Sequence, residues 1–248
     1  MIKVKDLCFS IEEKKLLKNI CLEVKNKNVV GIIGANGSGK STLLKNIYHF
    51  LKCDSGEIYI KEKILKEYTN KDLAKEIAVL TQRQNMNFNF SVEEIMDMAS
   101  YAKEKRFSGR EKREEIKKIL SFVGMRDDID RDFFSLSGGE IQRVLISRTI
   151  FQGSEILILD EPTNHLDIKY QVEIMDLLKS LDKTILMVLH DINLASYYCD
   201  YIYAMKEGKI LYEGSPELIL NEKIIENIFD VHCSVVEHPI RKKAMVIF

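Results

Sequence analysis

The stretch "VVGIIGANGSGKST", Val29–Thr42, decides the fold. Its first five residues, Val29–Ile33, are apolar or glycine without interruption, which reads as a strand covered on both faces in a parallel sheet. A glycine-rich turn follows. Beyond it Leu43, Leu44, Ile47, Phe50 and Leu51 recur at a spacing that predicts a helix. Strand, loop and helix make the βα unit of an open α/β sheet, which takes ligands beyond the C-terminal ends of its strands. Gly34, Ala35, Asn36, Gly37, Ser38, Gly39, Lys40 and Ser41 together fit GxxxxGK[ST], a phosphate-binding loop. Its glycines let backbone N–H groups approach phosphate oxygens, and the helix dipole stabilises the charge. Lys40 is expected at the β- and γ-phosphates of a nucleoside triphosphate, with Ser41 on Mg²⁺ and Thr42 beside it.

Two further apolar runs repeat the pattern, "ILIL" at Ile156–Leu159 and "TILMVL" at Thr184–Leu189. The first ends in Asp160 and Glu161. Adjacent carboxylates beside a triphosphate repel it unless a cation lies between them. Asp160 is therefore expected to hold Mg²⁺ through water, and Glu161 to orient or deprotonate the attacking water. His190 ends the second run, where its imidazole could contact the γ-phosphate. Ahead of these runs, Ile2 and Val4, then Ile20, Leu22 and Val24, alternate with polar residues, the period of half-buried antiparallel strands. "YIYAMKEGKILYEG", from Tyr201, reads as strand, turn and strand with Gly208 in the turn. From Pro216 onward the tail is helical, then strand-like, with no motif.

A helical segment lies between the two chemistries, roughly Ser91 to Phe134. Ser91 with Glu94 and Ser108 with Glu111 have the capping-box spacing, and Ile116, Ile119, Leu120 and Val123 mark one apolar face. Its stretch Lys103–Lys118 is dense in charge of both signs. Mixed sign favours a solvated helix face over a nucleic-acid surface. Next comes "SLSGGEIQR", Ser135–Arg143. A serine, two glycines and a helical pattern make a second helix start whose backbone N–H groups lie open to an anion. Why one chain carries two such ends, about a hundred residues apart, is not answered by the residues alone.

Composition sets the outer bounds. The chain has 248 residues, 46% hydrophobic and 30% charged, which is ordinary for a globular protein with ample core. Its formal net charge of −1 gives no electrostatic reason to expect nucleic acid or an anionic membrane as main partner. Five cysteines with no Cys-x-x-Cys pair suit a reducing compartment rather than a disulfide framework. His232, Cys233 and His238 fit no standard metal spacing. No apolar run is long enough to be a signal peptide or to span a bilayer, so any membrane role is expected through a partner.

The phosphate loop at Gly34–Ser41, "LSGGE" at Leu136–Glu140, "ILILDEP" at Ile156–Pro162, "HLD" at His165–Asp167, and His190 follow the order found in ABC-transporter ATPase subunits. The chain resembles that family over nearly its whole length, and "LSGGE" shortly before the acidic strand is the specific feature. The resemblance implies an α/β P-loop NTPase fold with a mostly parallel sheet, an N-terminal antiparallel β subdomain and a helical insert. In domain terms it implies a RecA-like core with the antiparallel subdomain over 1–90 and 136–248, and a helical subdomain over about 91–135. It also answers the question of the second helix start. Two such chains pair head to tail, so that Ser137, Gly138, Gly139 and Glu140 of one face the ATP in the phosphate loop of the other. Asp167 matches the loop that crosses the dimer seam. Gln82, which alone reads as a loop residue, matches the glutamine that contacts Mg²⁺ and water at the entry to the helical insert.

With one ATPase domain and no membrane span, the chain is similar to separate-subunit importers, a peripheral protein at the cytoplasmic face of the membrane. The implied partners are a second copy of itself, polytopic permease subunits and, indirectly, an extracytoplasmic substrate-binding protein. "NFNFSVEEIMDMASY", "HLDIKYQ" and the tail with "EHP" resemble the ATPases of iron–siderophore, haem and cobalamin uptake. Ala99-Ser100-Tyr101-Ala102 departs from the Gly-Arg-Tyr-Pro usual there. An exporter ATPase is the alternative, and a soluble ABC protein acting on ribosomes or DNA is a third reading. Ile11 stands where the family's adenine-stacking aromatic is expected, which implies weaker selectivity for adenine.

Overall fold

A computed structural model describes residues 1–81, 90–103 and 108–248. In chain order its elements begin with β1 (Ile2–Ile11), β2 (Lys14–Val24), β3 (Val29–Gly34), α1 (Lys40–Ile47), β4 (Ser55–Ile60) and β5 (Lys63–Ile64). Then come α2 (Asn70–Glu76), β6 (Ile77–Leu80), α3 (Val92–Asp97), α4 (Gly109–Ser121), α5 (Gly138–Gln152), β7 (Ile156–Asp160) and α6 (Ile168–Ser180). The chain closes with β8 (Thr184–Val188), α7 (Ile192–Tyr198), β9 (Tyr201–Lys206), β10 (Lys209–Gly214), α8 (Pro216–Ile219), α9 (Glu222–Phe229), β11 (Ser234–Glu237) and β12 (Ala244–Ile247). Two compact units result, one of Met1–Tyr68 with Lys183–Phe248, the other of Thr69–Asp182.

In the first unit β3 is the centre. It is buried along its whole length and pairs in parallel with β8 on one side and β9 on the other. β10 adds to β9 in antiparallel sense through the turn at Gly208. Sheets with both faces covered select uninterrupted apolar strands, which is why "VVGII" and "TILMV" carry no alternation. The N-terminal strands form a separate antiparallel sheet in the order β2-β1-β4-β5. Its register puts Ile2 opposite Val24 and Ile60, and Val4 opposite Leu22 and Ile58, so the alternating apolar residues share one buried face. Tyr203 ties the sheets together: its hydroxyl accepts from the Glu23 N–H at 2.9 Å and donates to the Glu23 carbonyl at 3.0 Å.

One sequence expectation is corrected here. The apolar spacing carries the helix after the phosphate loop through Leu51, whereas α1 ends at Ile47 and Phe50 is 72% exposed. His49 adopts a left-handed φ of 64°, and the N–H groups of both Phe50 and Leu51 turn back to the Lys45 carbonyl at 2.9 Å. That closure satisfies the last carbonyls and stops the helix.

In the second unit β6 and β7 pair in parallel, Ile77 with Ile156 and Leu80 with Leu159. Helix α5 carries the core here, with Val144, Leu145, Ile146 and Phe151 all buried. The Arg143 guanidinium is buried too, donating to the Val123 carbonyl at 2.7 Å and lying over the Tyr170 ring at 4.0 Å. Both expected capping boxes form, Ser91 with Glu94 at the start of α3 and Ser108 with Glu111 at the start of α4. Ile116, Ile119, Leu120 and Val123 are buried as the helical period requires.

Candidate nucleotide-binding site

The first unit holds the phosphate loop and His190. Beyond β3 the backbone turns through Gly34, at φ 150°, and Gly39, at φ 103°, both in the region that favours glycine. A side chain on Gly34 would run into the Met205 carbonyl, and one on Gly39 would meet the Leu16 carbonyl at 3.0 Å. The loop is thus held against β2 and β9 by its lack of side chains. Lys40 is buried, and its Nζ donates to the carbonyls of Gly34 at 2.8 Å and Ala35 at 3.0 Å. Ser38 is 4% exposed, and among the described residues its buried hydroxyl has no hydrogen-bond partner. Leaving such a group unsatisfied costs about 1–3 kcal/mol, and a phosphate oxygen in the loop would satisfy it. These residues fit a nucleotide phosphate. Val188 of β8 pairs with Ile32 of β3, so His190, two residues further on, leaves the sheet beside the loop. Ile11, at the end of β1, is 52% exposed.

The second unit holds the carboxylates and the second helix start. β7 delivers Asp160 and Glu161 at its C-terminal end, both buried. Glu161 has a left-handed φ of 55°, an unusual state for a residue with a Cβ and one that costs of order 1–3 kcal/mol. Its surroundings hold it there. Asn164 donates from Nδ2 to the Glu161 carboxylate, and Gln142 Nε2 donates to the carbonyls of Glu161 at 3.3 Å and Pro162 at 3.0 Å. Gln171 bonds the Leu166 carbonyl at 3.0 Å, fixing the turn that leads to Asp167, the N-cap of α6. Helix α5 begins against the same turn: a side chain on Gly139 would come within 3.1 Å of the His165 carbonyl. Ser137 and Gly138 are exposed. Gln82 lies outside the described residues.

Residues 17–164, more than half of the chain, match the model of the family described as ABC transporter. The chain belongs to the ABC transporter family. The petrobactin import ATP-binding protein YclP of Bacillus subtilis (strain 168) is 38% identical over 93% of this chain and 93% of its own length. The iron(3+)-hydroxamate import ATP-binding protein FhuC of the same strain is 33% identical over 92% of this chain and 87% of its own. Among solved structures, the dimeric post-hydrolysis state of the ATP-binding cassette MJ0796 bound to ADP and Pi is similar at a TM-score of 0.80. It is 30% identical, over 87% of this chain and 99% of that one. With its phosphate loop, the chain is an ABC ATPase.

In this ABC ATPase the glutamate of "LSGGE" is a structural device as well as a sequence mark. Ser137 Oγ accepts from the Glu140 N–H at 3.3 Å, while Glu140 Oε2 accepts from the Ser137 N–H at 2.8 Å. Arg131 donates to the other carboxylate oxygen at 3.0 Å. The Ser137 N–H and hydroxyl, with the Arg131 guanidinium, pull the Glu140 carboxyl down to about 2. A folded value below the unfolded one means that the carboxylate stabilises the fold above the ordinary range near 4.5, and that this is lost as pH falls toward about 2. Glu140→Gln should therefore be less stable than wild type at pH 7, by about 1 kcal/mol or less given solvent screening. The gap should close on acidification below the ordinary carboxylate range. Denaturant melts of both proteins at pH 7 and pH 3.5 test this; a gap that widens in acid contradicts the assignment.

Gln142, Asn164 and Gln171 are absent from the sequence reading, and only the spacing of Glu161 and Asn164 within one turn hints at a local bond. The tail histidines are engaged as well: His232 Nδ1 pairs with Glu226 Oε1 at 2.8 Å, and His238 Nδ1 accepts from the N–H groups of Ile240 and Arg241. Among the described residues, no helix is long and apolar enough to cross a membrane.

Proposed function

We propose that the chain powers a membrane importer by hydrolysing Mg-ATP as a head-to-tail dimer, with an iron–siderophore or related chelate (haem, cobalamin) as cargo. The observation that carries this is the pairing of a phosphate loop holding an orphaned buried hydroxyl with a second helix start whose Ser137 and Gly138 are exposed. Names of the relatives support the cargo class, and the dimeric state of the similar cassette supports the pairing. Gly34–Thr42 bind the phosphates, with Lys40 leaving the carbonyls of its own loop to do so. Bound Mg²⁺ would neutralise phosphate charge, and Ser41, Asp160 and Gln82 would hold it. Glu161 accepts the proton of the attacking water, and His190 contacts the γ-phosphate. Ser137, Gly138, Gly139 and Glu140 present the helix start of α5 to the partner's nucleotide, and Asp167 lies at the seam. Residues of about 91–135 act as a helical subdomain that meets a polytopic permease on the cytoplasmic face of the membrane, fed by an extracytoplasmic substrate-binding protein.

Purification of the tagged chain from its own membranes tests the reading. A stoichiometric polytopic permease is expected, with ATP turnover that rises when the binding protein is supplied loaded with ferric siderophore. Recovery with ribosomes or DNA, or with a permease that expels its cargo, would overturn it.

A further inference from the structure

The carboxy-terminal hairpin carries no motif, yet it grips the helix that begins beside His190. β11 and β12 pair antiparallel, Val235 opposite Val246. On its other side β12 is bonded by side chains of α7. Asn193 Nδ2 donates to the Val246 carbonyl at 3.1 Å, and the Val246 N–H donates to Asn193 Oδ1 at 2.8 Å. One side-chain amide thus replaces the peptide group of a third strand. Ser196, one turn on, donates from Oγ to the Ala244 carbonyl at 2.5 Å. Beneath these bonds Ile192, Leu220, Ile225 and Val246 form a buried cluster.

Helix α7 has seven residues, too few to hold its place without packing. Its N-cap is Asp191, which accepts from the N–H groups of Asn193 at 2.7 Å and Leu194 at 3.1 Å. Asn193 therefore takes part in three bonds, one through its backbone and two through its side chain. Its backbone fixes Asp191, the neighbour of His190, and its side chain fixes β12.

We propose that Asn193 is a positioning residue for ATP hydrolysis: by clasping β12 it holds the first turn of α7, and with it His190, at the end of β8. The hairpin is then a control element, because whatever lifts it releases His190. The proposal rests on His190 acting at the γ-phosphate. Asn193→Asp keeps size and shape but puts a carboxylate oxygen against the Val246 carbonyl. Ser196→Ala removes the second clasp with less disturbance.

Turnover and ATP affinity are to be measured on the full-length protein under conditions that support wild-type hydrolysis. Asn193→Asp should lower kcat by about tenfold to a hundredfold, with the Kd for ATP within about twofold of wild type. In a His190→Ala background it should add no further loss, which a general weakening of the fold would not reproduce. A normal kcat for Asn193→Asp while His190→Ala keeps only a reduced but measurable turnover would overturn the proposal and leave the ATPase reading standing. So would an equal loss in both backgrounds. Wild-type turnover by His190→Ala would remove the role of His190 itself, and the proposal with it. Should Asn193→Asp not fold, hydrogen exchange on Ser196→Ala decides: faster exchange in residues 189–196 together with 244–247 is expected, and unchanged exchange at 189–196 refutes the coupling.

Discussion

Glu161→Gln should bind Mg-ATP with nearly wild-type affinity and hydrolyse it about a hundredfold to ten-thousandfold more slowly, the range for loss of a positioned general base. The substitution exchanges a proton acceptor for an amide of the same shape. Asn164 can still donate to its remaining oxygen, and Gln142 bonds only the backbone of Glu161 and Pro162, so the turn should survive. The bonds from Lys40 to the Gly34 and Ala35 carbonyls do not involve Glu161 and are kept. ATP would then persist in the composite sites, and the variant should accumulate as an ATP-dependent dimer. Size exclusion with Mg-ATP at high protein concentration reads this directly. A variant that stays monomeric there argues against the head-to-tail dimer, and one that hydrolyses at the wild-type rate removes Glu161 from catalysis. The left-handed φ of Glu161 gives the prediction a structural edge. Strain of this kind persists where neighbours over-determine it, and here the side-chain amides of Asn164 and Gln142 both bond Glu161.

Local structure was legible in the sequence, and bonds between distant residues were not. Gly34–Ser41 and Asp160–Glu161 declare themselves because a buried parallel strand must be uninterruptedly apolar and must stop where polar function starts. The caps at Ser91 and Ser108 follow from a three-residue spacing. The same spacing at Ser137 and Glu140 is equally readable, but the glycines between them point to an anion first. The end of α1 is hidden for a different reason. Its left-handed residue is His49 rather than glycine, so the usual stop signal is missing while the apolar period runs on. Gln142 reaches carbonyls 19 and 20 residues away, and Asn193 reaches β12 across 53 residues. Such bonds have no period and no composition. They appear only once the backbone has been folded.

Ser137→Arg should keep ATP binding in the phosphate loop yet abolish the ATP-dependent dimer, lowering turnover by at least about a hundredfold, as when donors to a developing anion are lost. Ser137 is the N-cap of α5, extended at φ −64° and ψ 161°, and it faces outward with Gly138. Gly139 is backed by the His165 turn, so the helix start can offer its N–H groups only toward the open side. In the proposed head-to-tail dimer, an arginine there would fill the space that the partner's γ-phosphate needs. It would also lose the cap, at about 0.5–2 kcal/mol, and the two effects must be separated. Ser137→Ala does so, because it loses the same cap and adds no bulk. The alanine variant should dimerise with ATP, with reduced stability and partial turnover, where the arginine variant does not. Equal loss in both would make Ser137 a structural cap with no place in the partner's site. Should Ser137→Arg instead prevent ATP binding by the monomer, both helix starts would serve one nucleotide within a single chain, and the head-to-tail arrangement would have to be abandoned.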